Sequence, residues 1–364
     1  MKKPKFCVLG AGNGGLAMAA HLVLKGYEVN LYNRSQPRLN PVIARGGIEV
    51  TGQVQGFAPI SIVTTNPEEA IKGVDVLMVV VPANGHAFIA QKVAPYLEDG
   101  QIILLNPGRT CGAIEFRNVL KEEGCRADVI VAEAQTFIYA SRALNPAQVH
   151  IYRIKNSIPV AALPNTDTNQ ALQLIRQAFP EFVKGENVLK TSLDNIGSVF
   201  HPTLTILNAA RIENERGEFQ YYIEGNSPTT SRILEAVDRE RLEVAKALKV
   251  QAISAVEWLE VAYDATGSNL YEAMQNNQGY YGINAPSTLQ TRYLSEDVPM
   301  SLVPIASLGE KFGVPVPTIQ ALIHLASVLH QTDYWAQGRT VEKLGIQDLT
   351  ADQLHDLVES GGFW

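Results

Sequence analysis

Two rhythms of apolar and polar positions follow one another along this chain, and the change between them predicts two domains. In the first half, apolar residues come in short unbroken runs. Residues 5–10 (Lys5-Phe6-Cys7-Val8-Leu9-Gly10) form one, ending in glycine, as a strand buried on both faces of a parallel sheet does. Residues 27–32 alternate and predict a second strand, and 75–81, 101–105 and 128–132 predict further central strands. Helical spacing appears between them. In 13–26 it brings Leu16, Ala17, Ala20 and Leu24 together and stops at Gly26, a suitable C-cap; 67–72 and 85–97 are shorter cases. Strands alternating with helices predict an α/β domain with a doubly wound parallel sheet. Segments 148–154 and 158–163 add one or two strands, Pro164 marks a turn, and 165–178 predicts a helix.

From about residue 187 the rhythm becomes helical throughout. Long amphipathic segments cover 198–213, 228–248, 251–265, 299–312 and 317–332, so the second domain is expected to be all-α. The boundary is placed at Gly185, giving domains 1–185 and 186–364.

Composition narrows the partners. The 364 residues suit about two domains, and 46% hydrophobic with 18% charged residues is a globular balance. The net charge is −7 without a run of like charges, so neither nucleic acid nor an anionic membrane surface is an expected partner. Cys7, Cys111 and Cys125 fit neither a disulfide framework nor a metal site, and no metal is expected. No stretch approaches the ~18 apolar residues of a membrane span. No secretory h-region precedes the first strand, and the expected compartment is the cytoplasm.

The first strand runs straight into Gly10-Ala11-Gly12-Asn13-Gly14-Gly15, which fits G-x-G-x-x-G and opens a helix. Gly10 serves the tight turn, Gly12 the approach of a pyrophosphate, and Gly15 the packing of helix on strand. The helix N-terminus supplies N–H groups and partial positive charge to the phosphates. Strand, loop, helix and second strand together make this a Rossmann-type nicotinamide-dinucleotide site. Gly10, Ala11, Gly12, Asn13 and Gly14 are its expected contacts. The second strand ends in Asn33-Arg34 rather than in an acid. A guanidinium pairs with a 2′-phosphate, which favours NADP. If Arg34 instead stacks on the adenine and Asn33 serves the ribose, NAD is accommodated. Val81 and Pro82, and Asn106 with Pro107, Gly108 and Arg109, follow the next strands and are expected to wall the nicotinamide.

Hydride transfer to a carbonyl or imine requires a proton donor and a group that holds a substrate carboxylate. His201 lies just inside the second half, and Asp297 is able to fix its tautomer. Arg292 is able to clamp a carboxylate. Each has a plain alternative: His201 as a core residue, Asp297 as a helix N-cap, Arg292 as a solvated charge. Lys190, followed by Asp194 and Asn195, is a second possible acid.

Taken together the chain resembles the opine (octopine/nopaline) dehydrogenase family over essentially its whole length. The likeness rests on the glycine fingerprint with Asn33-Arg34, on Asn106-Pro107-Gly108-Arg109-Thr110, and on Ala132-Glu133 with Thr136-Phe137-Ile138-Tyr139. In the second half it rests on Asn195, Phe200-His201-Pro202, and Arg292 with Ser295-Glu296-Asp297-Val298-Pro299. The resemblance implies condensation of an amino acid amine with a 2-oxo acid of the pyruvate or 2-oxoglutarate type, followed by NAD(P)H reduction of the imine. It implies His201 as acid/base, Asp297 as its partner, and Arg292 and Asn195 as substrate contacts. The wider architecture is similar to that of glycerol-3-phosphate dehydrogenase and ketopantoate reductase, which keeps a simple ketone reductase using Lys190 as the alternative. A homodimer is expected by analogy with that architecture.

Overall fold

The computed structural model describes residues 3–362, which form two compact units. The first runs to Thr191 and takes up the chain again from Asp356; the second is Ser192–His355. The division falls a few residues beyond Gly185, whose N–H still serves the first unit by donating to Val160 O at 2.8 Å.

The first unit holds β1 (Phe6–Leu9), β2 (Val29–Tyr32), β3 (Ile48–Gly52), β4 (Gly56–Ala58), β5 (Ile62–Thr64), β6 (Val76–Val79), β7 (Ile102–Leu105), β8 (Ile130–Ala134), β9 (Tyr139–Asn145), β10 (Gln148–Ile154), β11 (Ile158–Leu163) and β12 (Phe182–Lys184). Eight of them form a sheet in the order β12-β11-β8-β7-β6-β1-β2-β5. Six run parallel; β11 turns against β8 and carries β12 with it. β1, β2, β6 and β7 are buried along their whole length, as strands covered on both faces must be. Asn30 looks polar in an alternating run, yet it is fully buried and donates its amide to Ala70 O at 2.7 Å.

Of a second sheet, β4-β3-β10-β9, only β10 was expected, as the strand at 148–154. Its strands bury alternate residues, Ile48 and Val50 on β3 and Val149 and Ile151 on β10. Helix α1 (Asn13–Leu24) packs between the two sheets, so Gly15 to Leu22 are all buried. That double covering explains why α1 has no polar face. The unit's other helices are α2 (Gln36–Arg45), α3 (Pro67–Ile71), α4 (His86–Val93), α5 (Gly112–Glu122) and α6 (Thr168–Ala178). The chain passes from one unit to the other inside α7 (Val188–Leu193).

Apart from one isolated bridge, Gln220 to Asn284, the described residues of the second unit contain no strand pairing. The segment expected as one helix over 198–213 is two, α8 (Gly197–Leu207) and α9 (Ala209–Glu215). Asn208 separates them by donating to both Leu204 O and Gly225 O. Then follow α10 (Pro228–Ala247), α11 (Ala255–Tyr263), α12 (Leu270–Asn276), α13 (Arg292–Ser295), α14 (Val303–Phe312), α15 (Pro317–His330) and α16 (Tyr334–Gln337). Helix α11 starts later than 251 because Ser254 and Glu257 form a capping box. A π turn at Val298–Leu302 precedes α14, and Pro304, which has no N–H to offer Met300, sits where it gives way to regular helix. No helix among the described residues is long and apolar enough to cross a membrane.

Candidate active site

In the first unit the glycine loop joins β1 to α1. Gly10 has φ +125°, and a Cβ there would stand 2.3 Å from Val80 O. A Cβ on Gly15 would stand 1.8 Å from Gly10 O. These two glycines close the fold. Gly12 differs: nothing lies within 4 Å of a Cβ built on it. Helix α1 starts at that open position with no side-chain cap and no acid in its first turn. Such a helix end is a seat for an anion.

The expected cofactor residues stand at the carboxyl ends of the adjacent strands β7, β6, β1 and β2. Asn33 ties the loop to β2: its Oδ1 accepts from Ala11 N at 3.1 Å and its Nδ2 donates to Ser35 O at 3.2 Å. Arg34 is exposed and lies over the Phe88 ring at 5.6 Å. Asn13 accepts from Ala143 N at 3.3 Å, which anchors the loop to β9. Gly14 abuts the ring of Phe137, and Val81 wedges against Gly10 and Gly85. Pro82 is exposed. Asn106 is 3% exposed; its Nδ2 donates to Leu104 O at 2.8 Å, while its buried Oδ1 has no donor. An orphaned buried acceptor at this edge is a place for a ligand N–H.

In the second unit, α8 carries His201 and the π turn is preceded by Asp297. Nδ1 of His201 lies 2.9 Å from Asp297 Oδ2, with the Asp297 side chain 0% exposed and that of His201 16% exposed. Asp297 therefore spends its carboxylate on the imidazole; it makes no side-chain cap. The other nitrogen, Nε2, is 3.0 Å from the Tyr222 hydroxyl. Tyr293 stacks on the imidazole at 4.3 Å, and Tyr221 donates to the His201 carbonyl at 2.7 Å. Burial pushes the Tyr222 phenol well above its ordinary pKa, with the neighbouring tyrosines adding to the shift. Tyr222 thus keeps its proton. An ionised Asp297 would accept only, which would put the imidazole proton on Nδ1 and leave Nε2 to accept from Tyr222.

Arg292 is exposed at the first position of α13, and no ion pair holds it among the described residues. Asn195 is buried and donates to Ser301 Oγ at 2.9 Å. Lys190 belongs to α7 of the first unit, where its N–H meets Asn187 Oδ1 at 3.0 Å. The structure thus brings His201 and Asp297 together across 96 positions of chain. Sequence reasoning missed Tyr221, Tyr222 and Tyr293. Tyr221-Tyr222 and Tyr280-Tyr281 are tyrosine pairs in the sequence, but no spacing rule marks either pair. Tyr280 does stack on Tyr222 at 4.2 Å, whereas Tyr281 is exposed. Among the described residues no three His, Cys, Asp or Glu side chains gather as a metal site.

Comparison with known proteins agrees with both halves. Residues 184–330 match the family described as NAD/NADP octopine/nopaline dehydrogenase, alpha-helical domain, and residues 5–125 match the NAD binding domain of 6-phosphogluconate dehydrogenase. The chain is 42% identical to the opine dehydrogenase of Arthrobacter sp. (strain 1C) over 355 residues, covering 97% of this chain and 98% of that protein. Among solved structures, octopine dehydrogenase with NADH and L-arginine superposes with a TM-score of 0.81 at 23% identity, covering 97% of this chain and 98% of that one. Yersinopine dehydrogenase with NADP+ gives a TM-score of 0.80 at 14% identity, covering 96% and 99%.

Proposed function

This chain belongs to the opine dehydrogenase family, and on that premise we propose how its residues divide the work of the reaction. The enzyme is an NAD(P)-dependent oxidoreductase that condenses an amino acid amine with a 2-oxo acid, releasing water, and reduces the resulting imine to a secondary amine. When bound, NAD(P)H supplies the hydride. The open space at Gly12, the uncapped start of α1 and the orphaned Asn106 Oδ1 fit the dinucleotide. Gly10 to Gly14 hold its pyrophosphate through backbone N–H groups. Val81, Pro82 and Asn106 would wall the nicotinamide, and the unpartnered Asn106 Oδ1 would offer it a hydrogen-bond acceptor. Asn33 and Arg34 serve the adenosine ribose. The exposed Arg34 guanidinium, which makes no ion pair among the described residues, supports a preference for NADP.

In the second unit, His201 moves the protons. Its Nε2 takes a proton as the amine adds to the carbonyl and returns one as water leaves. Asp297 keeps the proton on Nδ1 and stabilises the imidazolium that forms. Arg292 holds the oxo-acid carboxylate by a charge-assisted pair. Asn195 orients the substrate, a role supported by the family resemblance. Cytoplasmic location and a homodimer complete the proposal; exposed Leu325, Val328 and Leu329 on α15 support a covered helical face.

The observation that carries this reading is the 2.9 Å contact of His201 with the buried Asp297. The deciding experiment follows nicotinamide absorbance with NADPH or NADH, a 2-oxo acid, and a panel of amino acids. Oxidation is expected only when oxo acid and amino acid are both present, and faster with NADPH. Equal oxidation by the oxo acid alone would overturn the condensation. Preference for NADH, unchanged in Arg34→Ala, would overturn the role of Arg34.

A further inference from the structure

Lys155 follows β10, at the base of the β9–β10 hairpin, where its N–H donates to Ile138 O at 3.0 Å. Its ammonium is mostly buried. The side chain makes one hydrogen bond, Nζ to Thr136 Oγ1 at 2.7 Å, and no carboxylate pairs with it among the described residues. The nearest acid in sequence to Thr136 is Glu133, whose oxygens are engaged elsewhere, accepting from Ala113 N at 2.8 Å and from the Thr191 hydroxyl at 2.6 Å. A second cation, Arg109, acts on Lys155 instead. Burial, and after it the charge of Arg109, bring the lysine down to about 8. An ammonium out of water beside another cation is costly unless an anion is supplied.

The place is one where an anion is expected. Arg109 follows β7 and Thr136 follows β8, and Gly108 N donates to Ala134 O at 3.2 Å, binding the two strand ends together. Open α/β sheets bind ligands outside the carboxyl ends of their strands. Phe137, next to Thr136, packs on Gly14 of the dinucleotide loop. We propose that Lys155, Arg109 and Thr136 form an anion-binding subsite of the first unit that takes a carboxylate of the condensing substrates. The inference rests on the opine dehydrogenase reading, which leaves the amino acid's carboxylate without an assigned partner; this subsite takes it. Lys155 and Arg109 supply the charge, and the Thr136 hydroxyl donates a hydrogen bond.

Two measurements on the full-length enzyme test it. Lys155→Met is expected to raise KM for the amino acid about ten- to hundredfold, the range of a charge-assisted hydrogen bond. NAD(P)H affinity, read by fluorescence, should stay unchanged, and Lys155→Arg should restore most of the KM. The penalty should vanish with the corresponding amine that lacks the carboxylate. The second measurement needs no turnover: acetylation of Lys155 in the wild type, followed by mass spectrometry near pH 8. Labelling should slow when the amino acid is added to the enzyme–cofactor complex. Slowing by NAD(P)H alone, with weakened cofactor binding in Lys155→Met, would make this a cofactor phosphate site and overturn the proposal. Labelling indifferent to the amino acid would also overturn it. If the wild type shows no amine-dependent oxidation yet the amino acid protects Lys155, the reaction assigned above fails and the subsite stands.

Discussion

Among the histidines that sit against tyrosine hydroxyls, His21 of the first unit and His201 of the second have different charged neighbours. His21 on α1 is 5% exposed; its Nδ1 lies 2.9 Å from the Tyr139 hydroxyl, and the Phe179 ring meets it edge-on. Burial first, and the charge of Lys25 after it, bring His21 down to about 4. It is a neutral packing residue over the ordinary pH range. His201 on α8 also meets a tyrosine, Tyr222, but its other nitrogen faces the carboxylate of Asp297. A carboxylate fixes one tautomer and stabilises the charged ring; a nearby ammonium does the reverse. The lesson is that a tyrosine partner does not distinguish the two histidines, whereas the buried carboxylate on the opposite nitrogen does.

The largest expected effect tests that contrast directly. His201→Gln, or Asp297→Asn, should lower kcat on the order of 10²- to 10⁴-fold. His21→Gln should leave kcat close to the wild type while lowering stability. Comparable kcat losses at both histidines would erase the distinction.

The next effect concerns acid stability. The folded-state value for His21 is depressed below its ordinary 6.5, so between about 4 and 6.5 the unfolded chain binds more protons. Stability from this group is full above pH 6.5 and is lost as the pH falls toward 4, by about 3 kcal/mol. Urea unfolding at stepped pH should show a decline in that window, flattened in His21→Gln. An identical decline in the variant would assign it to other groups.

The smallest effect belongs to Tyr222. Its hydroxyl lies 3.0 Å from Nε2 of His201. Tyr222→Phe should lower kcat/KM about two- to tenfold, the scale of one net hydrogen bond, with the fold intact by circular dichroism. Unchanged kcat/KM in that variant would reduce Tyr222 to packing.

Much of the first unit was legible because local rules and tertiary environment agree there. A strand buried on both faces has to be apolar throughout, and a turn that brings Gly10 and Gly15 together excludes every side chain, so both features are written in residue type alone. Of the small second sheet only β10 was legible. Strand β3 pairs with it across 99 positions of chain, and no local signal encodes that register. Helix α1 was found by spacing, but that it is covered on both sides depends on the same sheet.

For the second unit, helical periodicity and the motif residues were readable in order along the chain, and so was the assignment to an opine dehydrogenase. Their meaning was not. Asp297 reads equally as an N-cap and as a histidine partner, and only the packing of the π turn beside α8 sends its carboxylate to His201. Tyr222 and Tyr293 lack any spacing rule that would select them, because a hydrogen bond and a ring stack join residues from separate elements. Residue types and local periodicity by themselves determined the fold class, the dinucleotide loop and the list of candidate groups. The tertiary structure alone decided which of those groups meet, because hydrogen bonds and desolvation depend on distances of a few ångströms between residues that the chain keeps far apart.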